Sequence, residues 1–211
     1  MILAWLRSDT IAHSAEERQW MLDTLETQSV WTIDLFLLLD TMCFRDNRIS
    51  ASYLLCSKTL GVNRQHNSLH YYQKAFSGDQ SRVEDLFATA DKMGLNLLCL
   101  AHLGLYQVMC LVALDNVVAI VLLDNSILRK RGNTYGGHYV VLCGMSCDPS
   151  HVQDAKRNDP NSIDDYCLVV KNPASKKETD YVTPFLFNEA WRSKGTDDDI
   201  IFVAKRDSND C

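Results

Sequence analysis

Four short runs constrain this chain more than anything else in it: Val117–Leu123, Tyr139–Leu142, Tyr166–Val170 and Ile200–Val203. Each is rich in β-branched and aliphatic residues and too short for a stable helix, which predicts strands buried on one or both faces. The N-terminal half follows another rule. Ser14-Ala-Glu-Glu17 has capping-box form and is followed by Trp20, Met21 and Leu25 at helical spacing. A second helix is expected from near Thr32 through Leu35, Phe36 and Leu39. A third is expected from a capping box at Ser81–Glu84 to a stop at Gly94, with Val83, Leu86, Phe87, Ala90 and Met93 on one stripe. Tyr53–Ser57 is a short strand before Gly61, Leu105–Leu114 a weaker helix, and Phe187, Ala190 and Trp191 belong to a helix ending by Gly195. The polar stretch Ser146–Asp165 is expected to be a surface excursion, and residues 206–211 a frayed tail. The layout predicts a single α+β domain over residues 1–211, helices first and then a mostly antiparallel sheet.

With 46% hydrophobic and 23% charged residues the chain can bury a core of ordinary size. A formal net charge of -6 argues against nucleic acid as a partner, because such proteins need Lys and Arg to displace phosphate counterions. Arg129-Lys130-Arg131, the dense basic cluster, reads as a solvated turn. No apolar stretch approaches bilayer length, and the N-terminal apolar run is too short for a signal peptide, so no membrane association and a cytoplasmic location are expected. In that compartment the eight cysteines stay reduced; Cys99, Cys110, Cys143 and Cys167, set inside apolar runs, act as small hydrophobes.

Gly136-Gly137-His138 opens one strand, and Lys171-Asn172-Pro173 closes the next, where proline cannot continue the ladder. Antiparallel neighbours would put His138 and Asn172 at one sheet edge. There the asparagine oxygen orients the imidazole and leaves its other nitrogen for a nucleophile, as in the base half of a Cys–His–Asn triad. Gly136 and Gly137 would let a substrate approach the backbone. On spacing alone a structural histidine beside a turn-forming Asn-Pro is the commoner arrangement.

Several segments, in order along the chain, resemble the guanylyl cyclase domain-containing protein family, which includes plant guanylyl cyclase 1 proteins. They are Val30–Leu35, Thr59–Val62, Tyr72 with Lys74 and Phe76, Arg82-Val83 with Leu86–Ala88, Val118–Leu122, Gly137–Leu142 with Gly144, Asn172–Ala174 and Gly195–Ile200. That family is in turn similar to papain-type peptidases that process double-glycine leaders. The resemblance matches His138 to their catalytic histidine and Asn172 to the Asp or Asn ending the next strand. It also marks a departure. The family's Trp-Asp-Cys-Gly-Leu-Ala-Cys segment, source of the candidate nucleophile, has no counterpart here; Met1–Leu6 resembles the helix just after it, as in an N-terminally truncated form.

The resemblance therefore implies a papain-like domain with a His/Asn half-site, catalytically silent without its cysteine. Two alternatives stay open. One is conversion of GTP to cyclic GMP, for which Asp197-Asp198-Asp199 is the best acidic cluster, though a solvated turn before the last strand is its simpler role, and no GxxxxGK[ST] loop is present. The other is a module binding an extended peptide or a protein tail. No cofactor or metal is expected. Cys143, Cys147 and His151 are four apart without an evident fourth ligand, and His66 and His70 rank lower. Cys43 precedes Arg45 and Arg48, whose charge could lower a thiol pKa, but it lacks the glycine-bearing context of the missing motif and reads as an ordinary thiol at a helix end.

Overall fold

The computed structural model describes residues 5–6, 14–25, 27, 29–47, 49–63, 65, 76–130 and 134–206. Helices α1 (Ala15–Leu25) and α2 (Thr32–Arg45) lead into strand β1 (Ala51–Ser57). Next come α3 (Phe76–Lys92), β2 (Leu97–Cys99), α4 (Leu105–Val112), β3 (Val117–Asp124) and the short α5 (Asn125–Leu128). Then follow β4 (Gly137–Ser146), α6 (Pro149–Lys156), β5 (Cys167–Lys171), β6 (Asp180–Val182), α7 (Pro184–Trp191) and β7 (Ile200–Lys205). The strands form one seven-stranded sheet in the order β2-β1-β7-β3-β4-β5-β6. Only β1 and β2 run parallel; every other pairing is antiparallel. The fold is α+β with a mixed sheet.

Alternation along the strands splits the core in two. On one face Val118, Val141, Ile201 and Val203 pack with Ile33, Phe36, Leu39 and Met42 of α2 and with Leu6. On the other, Val121, Leu123, Val140, Leu142, Val170 and Ile200 pack against Val108 and Val112 of α4 and Phe187, Ala190 and Trp191 of α7. Phe36, Phe187 and Trp191 are fully buried, and truncating any of them to alanine is expected to cost about 3–5 kcal/mol. β3 is buried on both faces, as its uninterrupted apolar run requires.

Local capping reads true at several ends. The Glu17 N–H donates to Ser14 Oγ at 3.0 Å, and Gly94 takes a φ of 70°, the left-handed stop expected of it. Elsewhere the expectations need correcting. α3 begins at Phe76, so Ser81–Glu84 lies within the helix and caps nothing. Arg82 explains the extension. It bonds both oxygens of Asp34 on α2, at 2.5 and 3.2 Å, and reaches Asp79 at 3.4 Å, so docking holds the earlier turn. The expected surface excursion contains α6, started by Asp148, whose carboxylate accepts from Ser150 N–H at 2.8 Å, with Pro149 behind it. Helices and strands alternate through the C-terminal half instead of separating, and β1 sits inside the sheet beside β7. Arg206 is tied down: its N–H donates to Ser50 O at 2.9 Å and its Nε to Ser52 Oγ at 2.8 Å. Residues 207–211, like His66, His70, Tyr72 and Lys74, lie outside the described residues.

Candidate functional site

β4 and β5 pair antiparallel with Val141 opposite Lys171, which brings the start of β4 to the end of β5. His138 and Asn172 meet there, with His138 Nε2 2.8 Å from Asn172 Oδ1. A second contact fixes the asparagine amide, because Oδ1 also accepts the Ala174 N–H at 2.9 Å. An atom that accepts a backbone N–H is the oxygen, so the imidazole must donate to it from Nε2. In the neutral ring the proton then sits on Nε2, and Nδ1 keeps the lone pair. The local turn at Asn172–Ala174 orients the amide, and the contact between β4 and the end of β5 sets the tautomer.

The backbone before His138 is held as firmly. Buried Asp124, at the end of β3, accepts from Ser126 N–H at 2.9 Å, Ser126 Oγ at 2.8 Å, Gly136 N–H at 3.2 Å and Ser193 Oγ at 3.0 Å. This carboxylate joins α5, the mouth of β4 and the segment after α7. Sequence reasoning missed it, although an Asp between an apolar strand and Asn-Ser is a recognisable helix cap. The two glycines differ. A Cβ on Gly136 would meet open space, whereas on Gly137 it would lie 2.9 Å from the Tyr135 hydroxyl. At Gly137 the close approach is therefore made by the chain itself.

His138 shares its sheet face with Val140 and Leu142, the face covered by α4 and α7. Trp5 and Leu6, in the segment that resembles the helix following the nucleophile, pack with the opposite core. Among the described residues no thiol is hydrogen-bonded to the His138 ring. Cys143 Sγ bonds Val141 O at 3.6 Å and Cys167 Sγ bonds Ser146 O at 3.6 Å. Arg45 does not make Cys43 a reactive thiol, and Arg48 lies outside the described residues. Burial, reinforced by Asp40 and opposed by Arg206, pushes this thiol up to about 11, and Arg45 is turned away onto the Trp20 ring at 4.1 Å. Burial likewise raises Cys56 to about 11 and raises Cys143 and Cys167.

The remaining candidates have structural partners. His151 Nδ1 is 2.9 Å from Ser146 Oγ, its Nε2 is 2.9 Å from the Tyr181 hydroxyl, and its ring stacks on Tyr181 at 4.0 Å. Neither nitrogen is left for a metal, and no group of three potential ligands converges among the described residues. The Asp197–Asp199 segment is not a solvated turn. Asp198 is buried, paired with Lys58 at 2.9 Å and with Arg192. Asp197 accepts from Asn63 Nδ2 at 2.6 Å, and Asp199 from the Thr32 hydroxyl. The three carboxylates point to different partners. Asp197 and Asp198 adopt φ of 50° and 54°, a conformation short polar side chains tolerate.

Comparison with known proteins places these features. The family model described as guanylylate cyclase matches residues 1–203. The chain belongs to the guanylylate cyclase family. Within it, the chain is similar to guanylyl cyclase 1 of Arabidopsis thaliana, 27% identical over 215 residues that cover 96% of this chain and 69% of that protein. No solved structure matches. Among the described residues of this guanylylate cyclase family member, no helix is long and apolar enough to cross a membrane.

Proposed function

We propose that His138 and Asn172 are the base and the orienting residue of a papain-type half-site, and that this chain uses it to hold an extended peptide without cleaving it by thiol chemistry. The observation that carries the reading is the doubly engaged Asn172 Oδ1, which makes Nδ1 of His138 the free base. A papain-type histidine needs its orienter on one nitrogen and the reacting group at the other. The silence follows from the thiols: those with a raised pKa are protonated at neutral pH, and none is hydrogen-bonded to the imidazole among the described residues. A poised base without a thiolate retains binding and polarisation but not acyl transfer.

Two measurements test this. Nitrogen-15 NMR of the imidazole should show the Nε2–H tautomer for His138, with a mixed population in Asn172→Ala. A mechanism-based thiol probe should label the protein at neutral pH no faster than the unfolded chain. A predominant Nδ1–H tautomer would remove the orienter. Rapid labelling abolished by His138→Ala would replace the silent site with an active one.

A further inference from the structure

On the His138 side of the sheet, a cavity of about 470 Å3 opens directly beside Asn172. That volume lies within the roughly 300–1,000 Å3 of small-ligand sites. Its charged lining is unbalanced: Arg129, Arg157, Lys176 and Lys177 face Asp154 and Asp180. Asp154 serves two of the cations, Arg157 at 3.2 Å and Lys177 at 2.8 Å, while Asp180 accepts from the Ser175 hydroxyl at 2.8 Å. Arg129 spends its guanidinium on the Ala174 carbonyl at 3.0 Å, and Lys176 makes no ion pair among the described residues. A chain with a net charge of -6 thus carries a positive hollow beside Asn172, the residue that orients its candidate base.

One wall of the hollow is β6, the last strand of the sheet, which carries α6 packed on Tyr181 through His151 but no described strand on its outer side. An unpaired edge offers backbone N–H and C=O groups to an extended chain, and flanking pockets select its side chains. Guanidinium forks bind carboxylates through two parallel hydrogen bonds, and ammonium groups add point charge. We infer that the cavity between Asn172 and β6 receives the acidic side chains of an extended peptide, so that the ligand class of the His138 site is an acidic peptide segment. This rests on the proposed peptide-binding role and gives it a chemistry. Edge strand and cationic wall together favour a peptide over a free oligophosphate, which would use the charges and leave β6 unused.

The test is fluorescence anisotropy with a labelled ten-residue peptide of alternating glutamate and valine, its glutamine counterpart as control, and tripolyphosphate as competitor. The glutamate peptide should bind, weaken as salt rises, and lose about tenfold in affinity to R157Q/K176Q, the scale of two surface charge contacts. Both side chains are exposed, so the variant should fold; its melting curve checks this. Equal binding of the glutamine peptide, or unchanged affinity in the variant, overturns the inference. Tripolyphosphate binding without peptide binding overturns it in favour of a phosphate site. Arg157 and Lys176 do not touch the imidazole, so the His138 tautomer reports separately on the half-site.

Discussion

Replacing Asp198 by asparagine separates a structural role for the triple aspartate from a catalytic one. The Asp198 side chain is 5% exposed, and its Oδ2 faces Lys58 at 2.9 Å and the Arg192 guanidinium. The N–H of Lys58 also donates to Asp197 O at 2.8 Å, so the end of β1 is fastened to this segment by main chain and side chain together. Breaking a buried ion pair by removing one partner costs about 3–5 kcal/mol, because the remaining charge is left buried. Here the survivors are 38% and 25% exposed, and water recovers part of their solvation. A loss of about 2–3 kcal/mol follows after that discount. For a chain of this size each kcal/mol shifts Tm by roughly 2–4 °C, so D198N should melt about 4–12 °C lower. Burial lowers the Lys58 pKa, Arg192 lowers it further, and Asp197 opposes both. In a thermal melt followed by circular dichroism, K58M should lose less than D198N, since it leaves Arg192 on the carboxylate. The double variant should lose less than the two single losses added together. A D198N protein melting within about 2 °C of the parent would show that the pairs carry no stability and refute this reasoning.

Two further expectations concern chemistry. Alkylation of Cys43 and Cys56 by iodoacetamide should be slow at pH 7.5 and rise about tenfold per pH unit toward pH 10, because raising a thiol pKa to about 11 removes thiolate at neutral pH; a rate plateau below pH 9, seen by mass spectrometry of the labelled peptides, would contradict the burial argument. Cyclic GMP formation by purified protein should be weak and unchanged in His138→Ala, since the three aspartates face different partners and do not converge; metal-dependent turnover lost in Asp199→Ala with an unchanged Tm would establish a metal role for that carboxylate.

The strands legible in the sequence were those with continuous apolar runs, and the sheet was built around them. β2 and β6 were not legible. They are three residues each, only partly buried or exposed, and their hydrogen bonds to β1 and β5 come from tertiary pairing, not from any pattern of their own. α3 shows the opposite failure: a good local capping motif was overridden by Arg82 docking on Asp34. The meeting of His138 and Asn172 was readable because two strand ends, one marked by Gly-Gly and one by Asn-Pro, define a single sheet edge. The cationic cavity beside them was not, because Arg129, Arg157, Lys176 and Asp180 come from separate loops and elements that only the topology brings together.

The segments that carry the family resemblance do not all converge on the His138 side. Val30–Ile33, Thr59, Gly61, Tyr139, Gly195–Asp197 and Asp199 meet across the other face, around a space of only about 50 Å3. Room on that scale holds a water or two and falls far below the roughly 300 Å3 a small ligand needs. Polar groups fill it already: the Thr32 hydroxyl reaches both Asp199 and the Tyr139 hydroxyl, and Asn63 reaches Asp197. A closed network of this kind fixes how α2, β1 and the turn before β7 sit against one another. Its residues are constrained because each must satisfy a buried partner, which accounts for a dense motif without any ligand. The hollow on the opposite face is the reverse case: it has volume, excess charge and an unpaired strand edge, and among the motif segments only Asn172 and Ala174 line it. The segments that carry the resemblance therefore largely build the frame, and the charged lining of the hollow lies mostly outside them.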